Sequence, residues 1–180
     1  MKKTKRLQNR ISICGPESTA KTWLSSELAK YYKTCFVEEY SREYLKGKES
    51  YKKEDILRIA KTQLEKEEEI AKYCKSVLFC DTDLLVNKIW SRYVFGETDK
   101  WIDDEFIKHE YGLYLLCFPD IEWEYDPLRE NPDNRDLLFE MYEAELKIAG
   151  FNYKIVRGKG NKRLQNAVKF VDDYLKNIKV

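Results

Sequence analysis

Five short apolar runs punctuate the chain: Ile11–Cys14, Cys35–Val37, Val77–Cys80, Leu113–Phe118 and Tyr153–Val156. Val77–Cys80 and Leu115–Phe118 are apolar at every position. A strand covered on one face alternates apolar and polar residues, so uninterrupted runs predict strands covered on both faces, as in a parallel sheet.

The stretches between the runs carry helical spacing. Leu24, Leu28 and Tyr31 follow the first run, and Ile56, Ala60 and Leu64 open a long helix that continues through the charge run Lys66–Glu69. The simplest reading of that run is a solvated face. Leu138, Met141, Tyr142 and Leu146 mark a further helix, with Gly150 as its C-cap. Leu164, Val168, Val171 and Leu175 define the last one. Strands alternating with helices imply βαβ units. The expected fold class is α/β: a single domain over residues 1–180, doubly wound, with a five-stranded parallel sheet flanked by helices on both faces. Gly96–Asp99 and Pro119–Pro132 are the main irregular stretches, and the second is long enough to suggest a functional segment.

Composition narrows the function classes. The chain has 33 Lys and Arg against 32 Asp and Glu, a net charge of +1, which gives no support for nucleic-acid binding. The basic start MKKTKR is expected to be part of a flexible tail over residues 1–9. No apolar run approaches the ~18 residues needed to cross a bilayer, so no membrane role is expected. Cysteines 14, 35, 74, 80 and 117 form no CxxC pair. They read as small core residues of a reducing cytosol, and the expected localisation is cytoplasmic. His109 has no Cys or His neighbour in sequence and reads as a surface residue near a helix end.

Four motifs carry chemistry. Gly15-Pro16-Glu17-Ser18-Thr19-Ala20-Lys21-Thr22 follows the first strand and opens the first helix. It matches GxxxxGK[ST] except at one position. Such a loop turns backbone N–H groups toward a phosphate at a positive helix N-terminus. Lys21 is expected to reach the β- and γ-phosphates, and Thr22 to bind magnesium. Ala20 stands where the template has glycine, and its Cβ resists positive φ; nucleotide affinity falls if the loop must shift to accommodate it, and the sequence leaves that effect open. The second motif is Asp81-Thr82-Asp83 after the third run. Asp81 suits a magnesium shell; Asp83 suits either a proton acceptor or a helix cap. The third is Glu38–Tyr44, with Glu39, Tyr40 and Arg42 delivered to the acceptor site from the carboxyl end of the second strand. The fourth runs from Trp123 through Asp126, Pro127, Leu128 and Arg129 to Arg135. Its arginines suit neutralisation of a transferring phosphoryl group.

GPESTAKT, EEYSREY, FCDTD and WEYDPLRENPDNR, in that order, resemble the NadR-type nicotinamide riboside (ribosylnicotinamide) kinase domain, grouped with AAA-type P-loop ATPases. The resemblance spans about Ile11 to Lys176 and implies a single-domain P-loop kinase fold with a parallel sheet. It implies ATP-dependent phosphorylation of nicotinamide riboside to the mononucleotide in NAD salvage, with ATP and Mg2+ as cofactors and a small-molecule nucleoside as partner. It implies ATP binding by Gly15, Ser18, Thr19, Lys21 and Thr22, and a Walker B-like role for Asp81. Asp83 becomes a candidate base or ribose binder, Tyr40, Arg42, Trp123 and Asp126 riboside contacts, and Arg129 and Arg135 lid residues. The chain lacks the adenylyltransferase and DNA-binding parts of longer members, so a stand-alone kinase is expected. Another nucleoside or nucleotide kinase, or a binding module impaired by Ala20, are the alternatives. The oligomeric state stays open.

Overall fold

The computed structural model describes residues 9–74, 76–109, 111–126 and 129–178. The first eight residues of the expected tail, and Pro127 and Leu128 of the fourth motif, lie outside them. Five strands, β1 (Arg10–Cys14), β2 (Cys35–Val37), β3 (Leu78–Asp81), β4 (Leu113–Cys117) and β5 (Tyr153–Val156), form one sheet in the order β2-β3-β1-β4-β5. Every pairing is parallel. The three central strands, β1, β3 and β4, are buried at every position.

Helices cover both faces. Helices α1 (Lys21–Tyr32) and α7 (Gly160–Ile178) pack on one. Leu24, Leu28, Ala167 and Val171 meet Ile11, Ile13, Phe79, Leu113 and Leu115 there. Four helices contribute to the other: α3 (Lys53–Ala71), α4 (Leu84–Phe95), α5 (Lys100–Lys108) and α6 (Arg135–Ala149). Their Ile56, Leu85, Phe106 and Tyr142 meet Cys14, Cys80, Tyr114 and Leu116. Successive strand residues serve opposite cores because side chains alternate across a strand. Full burial of a leucine such as Leu24 or Leu28 stabilises by about 1.5–3 kcal/mol. A short helix, α2 (Tyr40–Leu45), follows β2 directly.

Two expectations about helix faces change. Tyr31 is 58% exposed, and Tyr32 is the ring that turns inward, 5.7 Å from Phe79. The Lys66–Glu69 run is not wholly solvated. Glu67 is fully buried, because it lies three and seven residues beyond Leu64 and Ala60 on the buried face of α3. It accepts hydrogen bonds from Arg10 Nη1 at 3.2 Å and from Tyr111 Oη at 2.8 Å, and Arg10 Nη2 reaches Glu68 at 2.7 Å. Gly150 caps α6 in the left-handed region at φ 71°, as its place in the sequence predicts. His109 caps the end of α5. All five cysteines are free thiols. Among the described residues, no helix is long and apolar enough to cross a membrane.

Candidate active site

The loop between β1 and α1 folds as a nest. Its backbone is left-handed at Ser18 (φ 52°) and Ala20 (φ 58°), and Gly15 sits at φ 125°. Gly15 is required twice over: besides its φ, a Cβ there would lie 2.8 Å from the Cys117 carbonyl oxygen of the neighbouring strand. Thr19 Oγ1 donates to the Pro16 carbonyl at 2.8 Å, and Lys21 Nζ donates to the same oxygen at 2.7 Å. Ala20 takes the left-handed conformation that glycine takes more easily, at about 1–2 kcal/mol of strain.

Asp81 ends β3 beside this nest. It is fully buried, and no hydrogen bond ends on either carboxylate oxygen. Burial first, and then the negative charge of Glu39, hold it well above the usual carboxylate range; Thr22, Lys21 and Arg42 are near enough to oppose the rise. A bare, buried carboxylate next to a lysine and a threonine hydroxyl fits a divalent cation. Among the described residues, no cluster of three His, Cys, Asp or Glu forms a metal site alone. Thr22 and Asp81 would therefore hold Mg2+ together with phosphate oxygens and water, its usual manner of binding in phosphoryl-transfer sites.

Asp83 has a different place. Its Oδ2 accepts from Ser12 Oγ at 2.6 Å and its Oδ1 from the Val86 N–H at 3.0 Å. Burial pushes it up to about 6, against the bonds from Ser12, Val86 and Leu85. Asp83 thus caps α4, as the helix-cap reading expects, and it is fully buried and outside the cavity lining. Thr82 between the two aspartates lies at φ 69°, a rare and strained region for a β-branched residue.

The segment after β4 closes over the nest. Ser18 Oγ accepts from the Glu124 N–H at 3.0 Å and from Arg129 Nη1 at 3.4 Å. Arg135 Nη1 donates to the Ser18 carbonyl at 3.2 Å and to that of Ile121 at 2.8 Å. Glu17 accepts from the N–H groups of Glu130 and Asn131 at 3.0 and 3.1 Å. Both lid arginines thus converge on the phosphate loop.

A cavity of about 430 Å³ opens against Gly15, Pro16, Glu17 and Lys21. Of the residues expected to hold the acceptor, Glu39 and Arg42 line it; Tyr40, Asp83, Trp123 and Asp126 do not. Asp126 acts at one remove, pairing with Arg42 at 2.9 Å while Arg42 also reaches Glu39 at 3.3 Å. Trp123 lies under Arg135, 5.9 Å from the guanidinium, and Tyr40 packs at 5.9 Å on Tyr44. The aromatic wall comes instead from Tyr51, Trp90, Tyr93 and Phe95. Trp90 Nε1 donates to Tyr51 Oη at 3.0 Å, which donates to Glu130 at 2.8 Å. The rings of Tyr51 and Trp90 lie 4.9 Å apart. The signal for Trp90 was available: Val86, Trp90 and Tyr93 share one face of the helix that opens at Asp83, the face next to the nest.

Comparison with known proteins agrees with this architecture. The AAA domain family matches residues 10–163. The trifunctional NAD biosynthesis/regulator protein NadR of Escherichia coli (strain K12) is 26% identical over 144 residues, covering 74% of this chain and 35% of that protein. Its counterpart in Salmonella typhimurium (strain LT2) is 27% identical over 124 residues, covering 66% and 30%. The chain therefore spans about a third of the length of the curated relatives it matches. Among solved structures, a NadR protein in complex with NR superposes with a TM-score of 0.80 at 21% identity, over 95% of this chain and 52% of that one. Thymidylate kinase from Ehrlichia chaffeensis superposes with 0.65 at 14% identity, over 91% and 96%. With the family match spanning β1 through the start of α7 and the phosphate loop formed within it, the chain belongs to the AAA domain family, built on the fold of the P-loop kinases.

Proposed function

We propose that the chain is an ATP-dependent small-molecule kinase whose acceptor is nicotinamide riboside and whose product is nicotinamide mononucleotide. One observation carries the reading: a formed phosphate nest sets Lys21 in the wall of a cavity large enough for a nucleoside, with the buried carboxylate of Asp81 near that lysine. In this reading Gly15 through Thr22 grip the nucleotide phosphates, with Lys21 swinging from the Pro16 carbonyl to the β- and γ-oxygens. Bound Mg2+ supplies charge neutralisation between those oxygens. Glu39 lines the cavity beside Asp81 and takes the proton of the acceptor hydroxyl. That oxygen forms a bond to the γ-phosphorus as the bond to the β–γ bridging oxygen breaks, and ADP leaves. Arg129 and Arg135 turn from their carbonyl partners to the equatorial oxygens, and the lid excludes water.

The acceptor is argued from the cavity's chemistry. N-ribosyl nicotinamide carries a positive ring. The cavity sets the carboxylates of Glu17, Glu39, Glu49 and Glu130 against the cations Lys21, Arg42, Lys48 and Arg129, so the support for a flat cation comes from the ring faces of Tyr51 and Trp90. The NadR relatives support the same substrate. A second reading, a kinase for a neutral nucleoside or a nucleotide, is supported by the fold it shares with thymidylate kinase. Five free thiols suit a reducing compartment.

The test is turnover of a nucleoside panel with Mg-ATP. Nicotinamide riboside is expected to release ADP and its neutral analogues to do so poorly. Equal turnover of uridine or adenosine moves the acceptor assignment, and no ADP above background with any riboside removes the kinase.

A further inference from the structure

Arg163 is fully buried in the first turns of α7, and its guanidinium joins three loops at the carboxyl ends of the strands. Nε donates to the Gly158 carbonyl at 2.7 Å, in the loop after β5. Nη2 donates to the Phe118 carbonyl at 2.8 Å and to Asp120, after β4. Nη1 donates to the Thr19 carbonyl at 3.1 Å, inside the phosphate loop. Asp120 also accepts from the Gly158 N–H at 2.7 Å, so the two outer loops are tied to each other.

The Thr19 carbonyl belongs to the peptide that enters the left-handed Ala20. In a planar trans peptide the C=O and the N–H point in opposite directions. Holding the Thr19 oxygen outward therefore turns the Ala20 N–H away from Arg163. A glycine there would adopt the left-handed conformation with little strain; an alanine needs the orientation enforced from outside. Arg suits the task because its five donors sit in a rigid fork, which lysine cannot reproduce.

We infer that Arg163 is a positioning residue for nucleotide binding: it fixes the Thr19–Ala20 peptide so that the Ala20 N–H faces the polyphosphate of ATP, making good the glycine missing from the loop. The inference rests on the nucleotide-binding reading above.

The experiment measures Mg-ATP affinity by calorimetry, and the KM of each substrate, in the wild type, Arg163→Lys, Ala20→Gly and the double variant. Arg163→Lys is expected to weaken Mg-ATP by about tenfold, the worth of one hydrogen bond to a charged group, with the acceptor KM within about twofold. Adding Ala20→Gly is expected to recover most of that loss, a larger gain in Mg-ATP affinity than the same change gives in the wild type. A general loosening of the fold would raise both KM values and show no such rescue. Mg-ATP affinity unchanged by Arg163→Lys, or a loss that Ala20→Gly leaves in place, overturns the inference. Should Arg163→Lys fail to fold, Asp120→Asn loosens the same guanidinium more gently, and the same pattern is required of it. A wild type that binds no Mg-ATP at all removes the nucleotide reading itself, and this inference with it.

Discussion

Asp81 and Asp83 are both fully buried and stand two residues apart, yet Asp83 gives each of its oxygens to a protein donor and Asp81 gives neither. The two carboxylates are therefore expected to respond oppositely to substitution. Asp81→Asn should abolish ADP release while thermal denaturation shows an unchanged or higher midpoint, since it removes an uncompensated buried charge. Asp83→Ala should cost about 3 kcal/mol of stability, from the lost helix cap and the orphaned Ser12 hydroxyl. A catalytically silent Asp81→Asn, or a fully stable Asp83→Ala, would contradict this division.

Lys21 makes its hydrogen bond to a carbonyl of its own loop, and it serves no core contact. Lys21→Ala is expected to keep the wild-type circular dichroism spectrum and denaturation midpoint while losing phosphoryl transfer. Turnover near the wild-type rate would exclude its assigned role.

Trp90 lines the acceptor cavity and reaches the lid through Tyr51 and Glu130. Trp90→Ala is expected to raise the KM of nicotinamide riboside roughly tenfold, the scale of a desolvated cation–π contact. The KM of Mg-ATP should stay put. Steady-state kinetics with each substrate varied in turn decide the point: a rise confined to Mg-ATP would place the acceptor elsewhere.

Glu67 offers a pH test. Burial pushes it up to about 7, against the attraction of Arg10 and the Tyr111 hydroxyl, while the same ion pair favours the charged form of Arg10. For Glu67 we take burial as dominant, because the carboxylate is fully enclosed. A raised carboxylate binds its proton more tightly in the folded state than in the unfolded one. Its contribution is thus complete below the unfolded value near 4.3 and is lost as pH rises toward 7. The denaturation midpoint of the wild type, relative to Glu67→Gln, should fall across that window and level off above it. Asp81 titrates in both proteins and cancels; the charge of Asp83 adds to the rise at Glu67 and so belongs to the difference being read. A relative midpoint that rises with pH would mean that Arg10 wins.

Much of the fold was legible because both-sided burial leaves a plain mark: β4 throughout, and β3 up to Asp81, are apolar where two layers of helices cover them. The phosphate loop and Asp81 were legible for a related reason, since their chemistry depends on local order along the chain. The cavity wall was not. Trp90 and Tyr51 are 39 residues apart, and an aromatic residue at helical spacing reads as core unless the neighbouring loop is known. Arg163 hid in the same way: it belongs to the apolar register of α7 with Ala167 and Val171, where a charged residue looks like an interruption. Glu67 was misread because a run of like residues conceals the one that turns inward.

The left-handed turn at Thr82 has a consequence for how the two aspartates divide their work. On a continuous strand, positions 81 and 83 would point to the same side, and two carboxylates would crowd one spot, each raising the other's proton affinity. One reversed torsion leaves the first near Lys21 and Thr22 and hands the second to the framework of β1 and α4. Reactivity at this strand end is thus allotted by a kink in the main chain, and a threonine with no chemical role of its own decides which acid is left bare.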